Sequence, residues 1–316
     1  MSPGRSRLGP ALVLGAATIW GSAGLFVRAL GAQGLASSQI VYFANGLGFL
    51  LLLLGLLAFS PARLKVGRRP LLAMLALGAI GFGFSFSCYA GAITLIGVSL
   101  ATLLTCTHPI WTTLLAWRFL GEPIRRRRVV AIGLALIGCA LVVQIYDPDA
   151  FHATLAGSAL GLAAGLTYAV YSTLGKHLLQ ANPPLQVTLY TLAGGALFLL
   201  PIQSAPLPTA LPSGAWTPLL VFVLGQVLLA PLAFNLGLKR LEAGTASILS
   251  TWEVVVAVLI GVLLLRETME PLQAVGAALV GASIVLVQLP SWRGSGRWYA
   301  ARLGQSAGRE AIDPWS

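Results

Sequence analysis

Apolar runs as long as a bilayer is thick recur from one end of this sequence to the other, and nothing else in it constrains the fold as strongly. Crossing ~30 Å of hydrocarbon takes about 20 consecutive apolar residues in a helix. Runs of that length occupy 9–29, 38–59, 71–92, 98–118, 128–146, 157–179, 185–203, 216–238, 245–265 and 271–289. Residues 70–117 contain no Asp, Glu, Lys or Arg, so two helices share that stretch, and Ile96-Gly97-Val98-Ser99 is the one turn signal within it. The segment from Pro201 to Pro218, with Pro206, Pro208, Pro212 and Gly214 between, separates two later runs. Only 9% of the 316 residues are charged and 57% are hydrophobic, where a soluble domain carries ~25% charged residues. A soluble enzyme and a soluble binding module are excluded for want of polar surface. The runs are continuous rather than alternating, which excludes a transmembrane β-barrel. The expected fold is an all-α integral membrane protein with ten transmembrane helices.

The Lys and Arg residues set the expected orientation. With the N-terminus inside, 18 of the 20 basic residues fall in cytoplasmic segments, leaving Arg28 and Arg266 outside together with Asp147 and Asp149. Both termini are therefore expected in the cytoplasm. The first run, Leu8 to Val27, exceeds the h-region of a signal peptide and reads as a retained span. The net charge of +11 sits in short clusters between apolar runs, where anionic headgroups are the natural neighbours, so a lipid bilayer is the expected partner and nucleic acid is not. Cys88, Cys106 and Cys139 lie inside apolar runs. Their odd number and lack of motif spacing point to packing rather than to a disulfide framework or a metal site. No cofactor is expected.

The two halves of the chain align with each other at a slowly shrinking spacing. The pairs are Trp20 with Tyr168 and Arg28 with Lys176; Gln39 with Gln186 and Gly48 with Gly195; Tyr89 with Asn235; Thr105 with Ser250 and Glu122 with Glu267; and Gly133 with Gly276. Five helices is an odd number, so the second copy must enter the membrane from the opposite side. The expected organisation is a cytoplasmic N-terminus (1–8), a first five-helix repeat (9–146), an extracytoplasmic linker (147–156), a second repeat (157–289) and a cytoplasmic tail (290–316) whose Gly-, Ser- and Arg-rich composition reads as disordered. Two inverted repeats are a transporter architecture, because near-equivalent halves can exchange conformations and expose one shared site to each side in turn.

Several residues also carry a resemblance. Trp20-Gly21-Ser22, Leu120-Gly121-Glu122, Leu265-Arg266-Glu267 and the glycines of the fifth and tenth runs (Gly133, Gly138, Gly276, Gly281) resemble an EamA-type member of the drug/metabolite transporter superfamily over about 9–289. The resemblance implies ten helices in an inverted repeat, a central cavity, and export or exchange of small metabolites. The family commonly has Glu-Pro in its ninth helix, where this chain has Glu253-Val254, so a helix break there is not assured.

Glu253 is the most informative residue. An ionised carboxylate inside the membrane costs ~2.5 kcal/mol or more, so Glu253 must face a cavity, find a partner or carry a proton. It can serve as a proton or substrate-cation site, or as a structural hydrogen bond between helices. His108 is its repeat partner and exchanges a proton near neutral pH when unperturbed. The two are candidates for proton coupling, with a neutral His108 bonded to a backbone carbonyl as the alternative. Pro109 removes one backbone N–H and should loosen helix four. Asn45, Gln226 and Asn235 are cavity candidates because an amide in lipid strands its donors and acceptors; Trp20, Tyr89, Thr105, Tyr168 and Tyr190 complete the expected lining. Arg118, Glu122 and Glu267 lie at helix ends, where they are either headgroup-level charges or gating groups.

Nothing in the sequence supports an enzyme or a nucleotide-driven pump. The expected function is a secondary transporter moving a small organic metabolite, amino-acid-like or amphipathic, across a bacterial inner membrane by alternating access, outward and with proton coupling as one option. An uncoupled facilitator, a lipid-linked solute flippase and a non-transporting membrane protein are the alternatives, and a homodimer stays open.

Overall fold

In hydrocarbon the backbone has no hydrogen-bond partner but itself, so each long apolar run closes into a helix. The computed structural model describes residues 5–147, 154–202, 211–266 and 269–289, and no β-strand occurs among them. Glu267, most of the linker and the tail 290–316 lie outside the described residues. The described chain forms ten helical rods: α1 (Arg5–Gly21 and Ala23–Gly31), α2 (Ser37–Phe59), α3 (Arg68–Gly97), α4 (98–120), α5 (Arg126–Val142), α6 (Leu155–Ala181), α7 (Pro184–Ile202), α8 (Ser213–Leu238), α9 (Ala243–Ser250 and Trp252–Leu265) and α10 (Pro271–Gln288). Eight are individually long and apolar enough to cross a membrane. Of the other two, α5 is an unbroken helix of 17 residues, shorter than the expected 128–146 run, and α4 is interrupted at Cys106 and Thr107. The turn between α3 and α4 falls at Gly97 (φ 76, ψ 165), a conformation that glycine alone adopts without strain.

Helix packing follows the repeat. α3 packs on α6 as α8 packs on α1; α4 packs on α6 as α9 packs on α1; α3 packs on α7 as α8 packs on α2. The pairs α2–α7, α4–α9 and α5–α10 join repeat partners directly. This is the contact pattern of two units exchanged by a two-fold axis. Local geometry repeats as well: α4 ends on Gly121 (φ 68) and α9 on its partner Arg266 (φ 57), both left-handed. At the α5–α10 crossing, a Cβ on Gly138 would meet the Gly276 carbonyl oxygen at 2.7 Å, so only glycine permits that approach. Large apolar side chains such as Phe59 (89% exposed), Leu263 (73%) and Phe119 (68%) cover the outside, as a lipid-facing surface requires.

One end of the bundle gathers the basic segments: the α2–α3 link, the α4–α5 link and the α8–α9 link, with the end of α10 beside them. It is called the basic face below. The opposite end carries the start of α8 near Gln33 and the start of α10 near Val142.

The rods break where hydroxyls compete with the helix. Ser22 bonds the carbonyl of Ile19 (2.7 Å), Thr107 that of Leu104 (2.6 Å), Ser250 that of Ser247 (2.8 Å) and Thr251 that of Ile248 (2.7 Å). A bond to the carbonyl three residues back loosens the regular ladder. The break in α4 immediately precedes His108-Pro109, and α9 breaks at Thr251 although no proline follows Glu253. π-helical turns at Ala79–Phe84, Ala116–Leu120 and Val223–Leu229 add further irregularity inside α3, α4 and α8, a feature that often accompanies functional sites.

Candidate functional site

The interruptions surround a cavity of about 350 Å³. Its walls come from Trp20 of α1, Val41 of α2, Phe82, Ser85, Phe86 and Tyr89 of α3, Thr102, Thr105 and Cys106 of α4, Ala164 of α6 and Glu253 of α9. All lie at mid-height or in the half of the bundle away from the basic face. Glu253 belongs to the first turn after the break in α9. Its carboxylate makes no hydrogen bond or ion pair among the described residues and faces the cavity.

The cavity occupies the place where the two-fold packing fails. α6 packs on both α8 and α9. Comparable packing of α1 on α3 and α4 is missing among the described residues, and the cavity lies in that gap. At the basic face the corresponding gap is held shut. Lys176 of α6 donates to the carbonyls of Leu238 (2.8 Å) and Leu241 in the α8–α9 link. Gln186 Nε2 donates to the carbonyls of Arg63 and Lys65 (both 2.9 Å), and the Tyr190 hydroxyl donates to that of Leu64 (2.7 Å). Glu122 accepts from the backbone N–H groups of Ala243 (2.6 Å) and Gly244 (3.3 Å), so its carboxylate caps the first helix of α9. Arg128 lies between Glu122 (3.6 Å) and Glu242, with which it pairs directly. Burial pushes the Glu122 carboxyl above the ordinary carboxylate range, against the opposing pull of those N–H groups and of Arg128.

Four of the expected lining residues, Trp20, Tyr89, Thr105 and Glu253, meet at the cavity. The other six are not among its lining. His108 is enclosed at 1% exposure; its Nδ1 bonds the Ser247 hydroxyl at 2.7 Å and its ring lies 4.2 Å from that of Tyr168. No hydrogen bond joins His108 to Glu253, because Ser247, earlier on α9, occupies the place opposite the imidazole. Gln226 instead serves the break in α1, its side chain donating to the Ile19 carbonyl (2.6 Å) and the Ser22 hydroxyl (2.9 Å), while its backbone carbonyl accepts from the Trp20 indole (3.2 Å). Asn45 donates to Val41 on its own helix, and Asn235 to Thr188 between α8 and α7. Tyr190 belongs to the basic face, as above. Arg118 makes no ion pair with Glu122; its guanidinium lies 5.4 Å from the Phe119 ring centroid. Glu267 falls outside the described residues.

Phe82, Ser85, Phe86 and Thr102 were not legible as site residues. The signal was present in Phe82 and Phe86, four residues apart and so on one helix face, but an aromatic pair in an apolar run equally marks lipid contact.

The EamA-like transporter family matches the sequence twice, over residues 7–144 and 155–289, which reproduces the two repeats. The uncharacterized inner membrane transporter YicL of Salmonella typhimurium is 29% identical over 92% of this chain and 98% of its own length. The threonine/homoserine exporter RhtA of the same species is 27% identical over 73% of this chain and 78% of its own. A solved crystal structure superposes with a TM-score of 0.76 at 19% identity, covering 93% of this chain and 98% of the other, which supports the fold.

Proposed function

The chain belongs to the EamA-like transporter family, a multi-pass membrane transporter family, and from that premise we propose that it exports a small organic solute by alternating access, with proton exchange at Glu253. Its main support is one asymmetry: an open cavity bearing an unpaired carboxylate in one half, and polar clamps across the equivalent gap in the other. The Lys/Arg bias puts the basic face in the cytoplasm, so the conformation is outward-open in a bacterial inner membrane with both termini inside. The exporter activity named for RhtA, and the inner membrane named for YicL, favour the same direction and location. Proton exchange follows from chemistry: a carboxylate in a low-dielectric cavity is stable either neutral or paired, and alternates between the two as protons and solute compete for it.

The test is solute flux in proteoliposomes with an imposed pH gradient. The wild type should accelerate flux against an inward proton gradient, whereas Glu253→Gln should be indifferent to that gradient. Gradient-driven flux persisting in the variant would remove Glu253 from coupling, and no flux in the wild type with any of a broad metabolite panel would remove the transport reading.

A further inference from the structure

We infer that the solute is an organic cation, a mono-amine or quaternary ammonium with a one- or two-ring apolar body, and not a zwitterionic amino acid. The inference rests on the transport reading of the cavity and adds the charge of the cargo to it.

The lining holds one formal charge, the carboxylate of Glu253, and no Lys, Arg or His. A zwitterion or an anion brings a carboxylate that needs several donors, and all but one of the donors here already have acceptors. The Trp20 indole N–H is bonded to the Gln226 carbonyl (3.2 Å) and the Thr105 hydroxyl to the Ala101 carbonyl (2.9 Å). The Ser85 hydroxyl reaches the Ala164 carbonyl (3.4 Å), and the hydroxyls of Tyr89 and Thr102 bond each other at 2.8 Å, which leaves one hydroxyl hydrogen of that pair as the single free donor. A substrate carboxylate would therefore sit beside a like charge with no Lys, Arg or His in the lining to balance it, which penalises its entry. An ammonium group meets the opposite situation. Glu253 offers an acceptor with no competing partner, and Trp20, Phe82, Phe86 and Tyr89 make the lining aromatic, a composition that suits a cation once water is excluded. The volume of about 350 Å³ is at the small end of ligand pockets and suits one or two rings.

Val41, half-buried on the cavity wall, provides the readout once replaced by cysteine, because the native Cys88, Cys106 and Cys139 are all buried. In a Val41→Cys chain that also carries Cys88→Ala, Cys106→Ala and Cys139→Ala, alkylation of the introduced thiol by N-ethylmaleimide is followed in the presence of benzyltrimethylammonium, phenylalanine, phenylacetate or 2-phenylethanol. These probes share a ring and differ in charge. The cation should protect at concentrations at least tenfold below the other three. Glu253→Gln should abolish that advantage while leaving alkylation of the free protein unchanged, and Glu253→Asp should retain it. Equal or better protection by phenylalanine, equal protection by the cation in Glu253→Gln, or protection by none of the four overturns the inference. The two readings fail separately. If phenylalanine protects and is carried into proteoliposomes, export stands and the cation preference falls. If the cation protects but no solute crosses, the site stands and the transport reading falls.

Discussion

Lys176→Met tests the clamp at the basic face. Methionine keeps the length and apolar stem of lysine, so the variant removes the ammonium and its two bonds to the carbonyls of Leu238 and Leu241 with little change in packing. Hydrogen bonds from a charged donor contribute about 1.5–3 kcal/mol, and 1.4 kcal/mol corresponds to about a tenfold change in an equilibrium. If the clamp exists in the outward-open state alone, its loss shifts the outward-to-inward ratio by about ten- to a hundredfold. Because the two halves are near copies, the two states lie close in free energy. A tenfold shift from balance then cuts the outward-open fraction at least about fivefold. The assay is labelling of a Val41→Cys thiol, in a chain whose native cysteines are replaced by alanine, in intact spheroplasts by a membrane-impermeant methanethiosulfonate sulfonate. Slower labelling at an unchanged melting temperature is the expected result. The wild-type rate in a folded Lys176→Met protein would refute the clamp. The repeat makes a reciprocal statement about Arg28, the partner of Lys176, which is exposed here and makes no hydrogen bond or ion pair among the described residues. Arg28→Met should leave labelling equal or faster, because the positions matching Leu238 and Leu241 are Ala92 and Leu95, at the gap that is now open.

Glu122→Ala strands the N–H groups of Ala243 and Gly244 and leaves Arg128 with Glu242 as its remaining carboxylate; a loss of about 2–4 kcal/mol is expected, read as a lower melting temperature in detergent. Burial makes the folded protein hold the Glu122 proton more tightly than the unfolded chain does, so stability from this group is full below the ordinary carboxylate range and falls as pH rises through the higher folded value; Glu122→Gln should flatten that limb of the melting profile. Gly138→Val should separate α5 from α10 at a cost of about 1–3 kcal/mol, whereas Gly133→Ala, with nothing within 4 Å of its added Cβ, should melt like the wild type. Gln226→Leu removes one of the two side-chain donors to the Ile19 carbonyl and the donor to the Ser22 hydroxyl at the α1 break and should destabilise by about 1–2 kcal/mol.

Much of the architecture was legible in the sequence. The positions of the rods follow from apolar length, and the turn at Gly97 follows from the one turn signal in a charge-free stretch. The pairing of Glu122 with Glu267 by spacing anticipated the matching left-handed ends at Gly121 and Arg266. The site was legible only in part. Glu253 stood out because its burial needs a reason. Asn45, Gln226 and Asn235 stood out on the same ground, yet their amides serve helix breaks and helix contacts. The membrane penalises any unsatisfied polar group equally, so sequence reports that an amide has a partner and not whether the partner is backbone or cargo. The break in α9 needed no proline, because successive hydroxyls at Ser250 and Thr251 supplied an equivalent disturbance.

Sequence alone determined the solvent, the number of rods and the duplication, since each depends on local length, composition or self-similarity along the chain. Tertiary structure decided which groups share the cavity, that His108 answers to Ser247, and which of two equivalent gaps is open. Two halves of one architecture specify two related arrangements, and what separates them is a few clamps between residues far apart in sequence, such as Lys176 on Leu238 and Gln186 on Arg63. Such differences lie in packing and hydrogen bonding across the bundle, and no pattern along the chain encodes them.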